Sequence, residues 1–153
     1  MNRRAALKLF APALLAAPAW SAVRGDNVMY VGGTVAIPEG VQGELDLSDP
    51  KLLRFASKKG SFEMPYDGVT SLEYGQKAGR RLGVALTLTV WALMSKKRKH
   101  FLTIGYKDAG GTAQGVVLEL PKGRPKSIIT VLEMRSGLKC EYESEEARKH
   151  VHG

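Results

Sequence analysis

Residues 41–65 read VQGELDLSDPKLLRFASKKGSFEMP and set the expected architecture of the whole chain. Polar and apolar side chains alternate along residues 41–47, which is the pattern of a half-buried β-strand. The turn sequences DP at 49–50 and KKG at 58–60 divide the stretch into three short strands. Because these connections are short, the stretch predicts neighbouring strands of an antiparallel sheet.

The same β pattern continues on both sides of this stretch. Residues 28–37 are rich in β-branched side chains, and further short β segments follow at 69–74, 101–107 and 115–120. The sequence DAGG at 108–111 is a hairpin turn, since glycines supply the positive φ angles that such turns need. No alternation of strands with helices is visible, so a parallel sheet is not expected.

One amphipathic helix is predicted after the strands. Ile128, Ile129 and Leu132 recur at helical spacing, Pro125 suits the first turn, and Gly137 suits the C-cap. A bent antiparallel sheet is open at one end, and a helix packed across that end buries the apolar face of the sheet and its own apolar face. We therefore predict a mainly β (α+β) domain, a small bent antiparallel β-sheet or barrel closed by a C-terminal amphipathic helix.

Residues 1–22, MNRRAALKLFAPALLAAPAWSA, have the layout of an export signal. Arg3 and Arg4 form a positive n-region, an apolar segment follows, and small residues suit a cleavage site. The sequence RRAALK also resembles the twin-arginine export motif, so the Sec and twin-arginine routes both stay open. We expect an exported bacterial protein of the periplasm or the outer face of the inner membrane. An N-terminal helix that remains attached is the alternative.

Residues 80–100, RRLGVALTLTVWALMSKKRKH, interrupt the β pattern. Residues 82–94 carry no charge, and as a helix they would be roughly 20 Å long, which is too short for a hydrocarbon core about 30 Å thick. Alternation around Leu86 fits a strand, whereas Trp91 and the basic flanks suit a membrane interface. Three interpretations stay open: a buried core segment, a membrane-contacting segment and a surface for a partner protein.

If this insertion binds a partner, its contacts are the basic residues and the largest apolar side chains. They are Arg80, Arg81, Leu86, Trp91, Lys96, Lys97, Arg98 and Lys99. The formal charge is +8, and removing residues 1–22 takes away three positive charges. The remaining basic excess suits an anionic membrane surface or an envelope protein. Nucleic acid is not an expected partner, because the chain is exported and few aromatic residues lie among the basic ones.

The sequence offers few residues for catalysis or metal binding. Cys140 is the single cysteine, which excludes an internal disulfide and a cysteine zinc site. It lies in an alternating segment, so we expect a small buried hydrophobe. His150 and His152 are spaced like a metal pair, but a closed site needs four ligands. We expect residues 144–153 to be a charged, frayed tail or a short helix, and we expect no enzyme activity, no metal and no cofactor.

Four short motifs share the spacing of a known family. They are GELDLS at 43–48, LRF at 53–55, GSFEMPY at 60–66 and VTSLEY at 69–74. Together they resemble the first half of PH-like domains of the GRAM and bacterial PH type. The later hairpin and helix match the closing elements of that family. The resemblance covers residues 41–137 apart from the insertion, and no ligand-binding residue of the family transfers with it.

That resemblance has consequences for the domain organisation and for function. It implies one PH-like β domain over residues 23–143, interrupted by the insertion at 80–100. It also implies a scaffold that binds lipids, peptides or protein surfaces rather than an enzyme. Since fold alone does not settle function, the insertion carries the functional prediction. We expect a non-enzymatic binding module of the cell envelope. The alternatives are a structural or interaction domain whose apolar run belongs to its own core, and a small hydrolase.

Overall fold

The computed structural model describes residues 26–76, 100–121, 123 and 125–153. The elements of these residues are β1 (Asp26–Gly33), β2 (Val41–Asp46), β3 (Leu52–Ser57), β4 (Gly60–Pro65), a 3₁₀ turn (Tyr66–Gly68), β5 (Val69–Gly75), β6 (Phe101–Lys107), β7 (Ala113–Glu119), α1 (Pro125–Ser136), β8 (Glu141–Tyr142) and α2 (Glu145–His152). The export segment 1–22 and most of the insertion, residues 80–99, lie outside the described residues.

All these strands join one sheet in the order β4-β3-β2-β1-β7-β6-β5-β8. Two antiparallel meanders, β1–β4 and β5–β7, meet where β1 pairs with β7. Strands β4 and β5 are not sheet neighbours, although only the turn Tyr66–Gly68 separates them in sequence. Three residues span at most about 10 Å. The sheet must therefore curl until β4 and β5 approach each other, and it stays open between them.

Strand β1 joins the two meanders and bends to do so. Its first half pairs with β2, its second half pairs with β7, and the register shifts between Tyr30 and Gly32. At Gly33 the backbone has a φ of 154°, and an added Cβ would lie 2.1 Å from the carbonyl oxygen of Gly115. Only glycine fits such a close approach of two strands. This bulge allows one strand to serve both halves of a curled sheet.

The hydrophobic core lies on the concave side of the sheet. Tyr30, Tyr66 and Tyr74 are among its largest fully buried side chains, and they come from both meanders and the turn between them. Helix α1 adds Ile128, Ile129 and Leu132, which are buried in the same cluster. The predicted helix and its apolar face are therefore confirmed.

The C-terminal end of α1 is held by one side chain. Arg135 Nη1 donates to the backbone oxygens of Leu47 and Asp49, the latter at 3.0 Å, and to the Tyr66 hydroxyl at 3.0 Å. The guanidinium also lies 5.2 Å from the centre of the Tyr66 ring. Arg135 thus connects the helix to the β2–β3 loop and to the turn at the opening of the sheet.

The mainly β prediction is confirmed. Of the two expected forms the structure has the open sheet, not the barrel, and the sheet is not wholly antiparallel because β8 pairs with β5 in parallel. Of the two expectations for residues 144–153, the structure has the short helix, α2. The hydroxyl of Ser144 caps α2, and Ala147 and Val151 are buried, so this end of the chain is packed rather than a frayed tail. Neither helix in the described part of the chain is long and apolar enough to cross a membrane.

Candidate functional site

The insertion is attached to the sheet at a single place. Strand β5 ends at Gly75 and β6 begins at Phe101, and these two residues are paired partners. A hairpin between such partners needs only two to five residues, yet residues 76–100 lie between them. The predicted binding residues all fall outside the described residues; they are Arg80, Arg81, Leu86, Trp91, Lys96, Lys97, Arg98 and Lys99. What the structure fixes is that both ends of the insertion start from one rigid point.

The outer face of the sheet beside this point is buried. Leu102 and Ile104 of β6 belong to the core, so Phe101 and Thr103 face the other way, and Val117 shares that face because it pairs with Thr103. The three outward side chains are only 3%, 2% and 0% exposed. Ile128, Ile129 and Leu132 of α1 and Ala147 and Val151 of α2 lie in the core cluster, on the other side of the sheet.

Carboxylates surround this buried outer face. Glu73 pairs with Thr103 across the strands, Glu119 pairs with Phe101, and Glu141 pairs with Glu73. A groove of about 330 Å³ runs along the same edge between β5, β6 and the segment before β8, and it includes Glu73, Thr103 and Glu141 in its lining. The buried centre of the outer face is therefore flanked by three glutamates and by Lys139.

The three histidines of the chain gather where the insertion re-enters the sheet. The His100 ring stacks on the His150 ring of α2 with centroids 4.5 Å apart, and on the Tyr74 ring of β5 at 5.6 Å. The Tyr74 hydroxyl lies 3.0 Å from His150 Nδ1. The Tyr142 hydroxyl of β8 lies 2.9 Å from His152 Nε2. These rings connect α2 to the sheet next to the end of the insertion.

Two members of this stack, His100 and Tyr74, have shifted pKa values. Burial lowers the pKa of His100 from its ordinary value of 6.5, and the neighbouring His150 lowers it further, while Glu146 and Glu143 act in the opposite direction. Burial raises the pKa of Tyr74 to about 12. His100 is therefore a neutral imidazole and Tyr74 a neutral phenol near pH 7.

Sequence reasoning did not find this cluster. Tyr74, His100 and His150 lie far apart in the chain, and no short motif joins them. The only local signal was the spacing of His150 and His152, which suggested a metal pair in a tail. In α2 these histidines instead bond to two different tyrosines. Within the part of the chain that the structure describes, no group of three or more histidine, cysteine or carboxylate side chains is arranged to hold a metal ion.

Cys140 is not an activated nucleophile. It is buried in the core, as predicted, and burial raises the pKa of its thiol to about 12, with further increases from Glu133 and Glu73. Reactive cysteines have a lowered pKa and partial exposure. The Cys140 side chain therefore remains a thiol and contributes to packing.

A scan of protein-family models and a search of curated proteins both give no match to this chain.

Proposed function

We propose that this chain is a non-enzymatic binding module of the bacterial cell envelope, with a curled, PH-like sheet as its scaffold. Residues 1–22 direct its export, and residues 82–94 with their basic flanks contact an anionic lipid surface. The observation that carries the proposal is the pairing of Gly75 with Phe101, because it presents the whole insertion from one rigid position. A binding segment on a rigid scaffold is a recurring arrangement in proteins.

The expected energetics favour apolar contact assisted by charge. Burying four or five large apolar side chains contributes about 1.5–3 kcal/mol each. Each basic residue near an anionic membrane adds about 1 kcal/mol, and this part weakens with salt. Binding should therefore need anionic lipid for efficient attachment and should persist in part at high salt. An envelope protein with an apolar, acidic surface would satisfy the same chemistry.

One tryptophan makes the proposal directly measurable. The chain has two tryptophans, Trp20 and Trp91, so a chain without residues 1–22 keeps Trp91 alone. Adding vesicles of phosphatidylglycerol and phosphatidylcholine should shift its emission to shorter wavelength and pellet the protein with the vesicles. Trp91→Glu should weaken pelleting at least tenfold, since it places a charge in the apolar run. Met134→Glu is the matched control, because Met134 is 78% exposed on α1.

Equal pelleting of wild type and Trp91→Glu would reject contact with lipid through this run. Loss of binding in Met134→Glu as well would indicate a general effect of added negative charge. Circular dichroism of both variants confirms that each has the folded β-sheet before binding is compared.

A second candidate function is favoured by the burial of Phe101, Thr103 and Val117 on the outer face. In this version the domain is a structural or interaction module, and residues 82–94 cover that face as part of its own core. Trp91 emission would then be at short wavelength without vesicles and would not respond to them. Trp91→Glu would abolish the cooperative thermal transition, whereas in the lipid-binding version this variant stays folded.

A further inference from the structure

The histidine cluster provides a conformational property that does not depend on the proposed lipid contact. We infer that the stack of His100 on His150 is a pH-sensitive latch, which holds α2 on the sheet near neutral pH and releases it in mildly acidic solution. The basis is the joint position of the two imidazoles and Tyr74, which link α2, β5 and the start of β6.

Helix α2 depends on a small number of contacts. It has eight residues, and within it only Ala147 and Val151 are buried. Isolated helices of this length are not stable in water, so its stability comes from packing against the sheet. Polar and aromatic contacts join it to the sheet at two places, the Tyr74–His150–His100 stack and the Tyr142–His152 hydrogen bond to β8. Weakening the stack removes one of these two attachments, which favours release of the helix.

Protonation weakens the latch for an electrostatic reason. The two imidazole centroids are 4.5 Å apart, so two positive charges would repel strongly at this distance. On release, His100 is solvated and regains its ordinary pKa of 6.5, whereas burial and the neighbouring His150 lower its pKa in the stack. The released form thus binds protons more tightly. The latch keeps its full strength above pH 6.5 and loses it as pH falls from 6.5 through the lowered pKa of His100.

The other groups around the stack do not reverse this direction. Glu143 and Glu146 attract a proton to His100, but the pKa of His100 is lowered despite them. Tyr74, Tyr142 and Cys140 have pKa values of about 12 and stay neutral throughout the acidic range. Arg148, whose guanidinium lies 5.9 Å from the Tyr142 ring, keeps its charge. The pH response is therefore assigned to His100 in its contact with His150.

Amide hydrogen exchange of the full chain tests the latch. Protection of residues 145–152, corrected for the intrinsic exchange rate, should fall by up to about tenfold between pH 6.5 and 5.5, as expected for one linked proton. Protection in β6 and β7 should stay constant over the same range. His100→Gln should remove most of the pH dependence in α2. His152→Gln is the control and should keep it, because His152 bonds to Tyr142 outside the stack.

Two results would overturn the inference. One is equal protection of α2 at pH 7.5 and 5.5 in the wild type, and the other is a wild-type pH dependence in His100→Gln. A titration of the wild-type histidine ring signals by NMR keeps the test decisive if the variant does not fold. His100 should then titrate below pH 6.5 together with the signals of α2, and a midpoint at or above 6.5 would refute the latch.

Discussion

Replacing Arg135 by alanine removes the side chain that connects α1 to the opening of the sheet. Its Nη1 has two hydrogens and faces three acceptors, so it donates at most two hydrogen bonds at once. The alanine substitution removes both. Charge-assisted hydrogen bonds of this type contribute about 1.5–3 kcal/mol each, and the lower value applies because Arg135 is only half-buried. The contact with the Tyr66 ring adds about 0.5–1 kcal/mol. We expect Arg135→Ala to lower the free energy of unfolding by about 3–4 kcal/mol.

Urea denaturation followed by circular dichroism measures this loss. Arg135→Lys should recover less than half of it, because a lysine keeps the charge but cannot stack or bond in the same plane. Arg148→Ala is the matched control: its side chain is 61% exposed and its ion pair with Glu145 is 3.9 Å long. Such exposed pairs contribute at most about 1 kcal/mol. A loss below about 1 kcal/mol for Arg135→Ala would refute the role given to this residue.

Three further predictions concern the sheet, the core and a turn. Gly43→Ala places a Cβ 2.6 Å from the Phe55 ring and should cost about 1–3 kcal/mol in urea unfolding, whereas Gly110→Ala, whose nearest atom is 3.4 Å away, should change stability little. The Cys140 thiol should react with dithiodipyridine about a thousandfold more slowly in the native state than in urea, because burial raises its pKa from 9.0 to about 12. Similar rates in the two states would show that the thiol is exposed. Hydrogen bonds from the β6–β7 turn lower the pKa of Asp108, so its contribution to stability is present above pH 3.8 and is lost as the pH falls further. The thermal unfolding temperature of Asp108→Asn should therefore vary less with pH below 4 than that of the wild type.

The strands could be predicted because their signals are local. Alternation and turn residues placed a strand at 101–107, and the structure has β6 at Phe101–Lys107. The same signals placed strands at 41–47 and 51–57, within one residue of β2 and β3 at each end. Helix α1 followed from the positions of its proline, its apolar residues and Gly137, which has a φ of 74°.

The parts that could not be predicted depend on contacts between distant segments. The alternation of residues 139–143 predicted a short final strand, which the structure has as β8, but its parallel pairing of Tyr142 with Tyr74 could not be read from that pattern. The stacking of His100 on His150 likewise requires the sheet, the start of β6 and α2 to be in place together. The burial of Val117 on the outer face was also unexpected, since one face of an antiparallel sheet is often solvated.

The pairing of Gly75 with Phe101 closes the β5–β6 ladder at the base of the insertion. Loop closure becomes only about 0.6 kcal/mol harder with each doubling of loop length, so the ladder of β5 and β6 tolerates inserts of very different size. Homologous proteins could thus carry a different or longer segment at this position while the strands of the domain keep their pairing. The same position is suitable for grafting a foreign recognition peptide onto the domain.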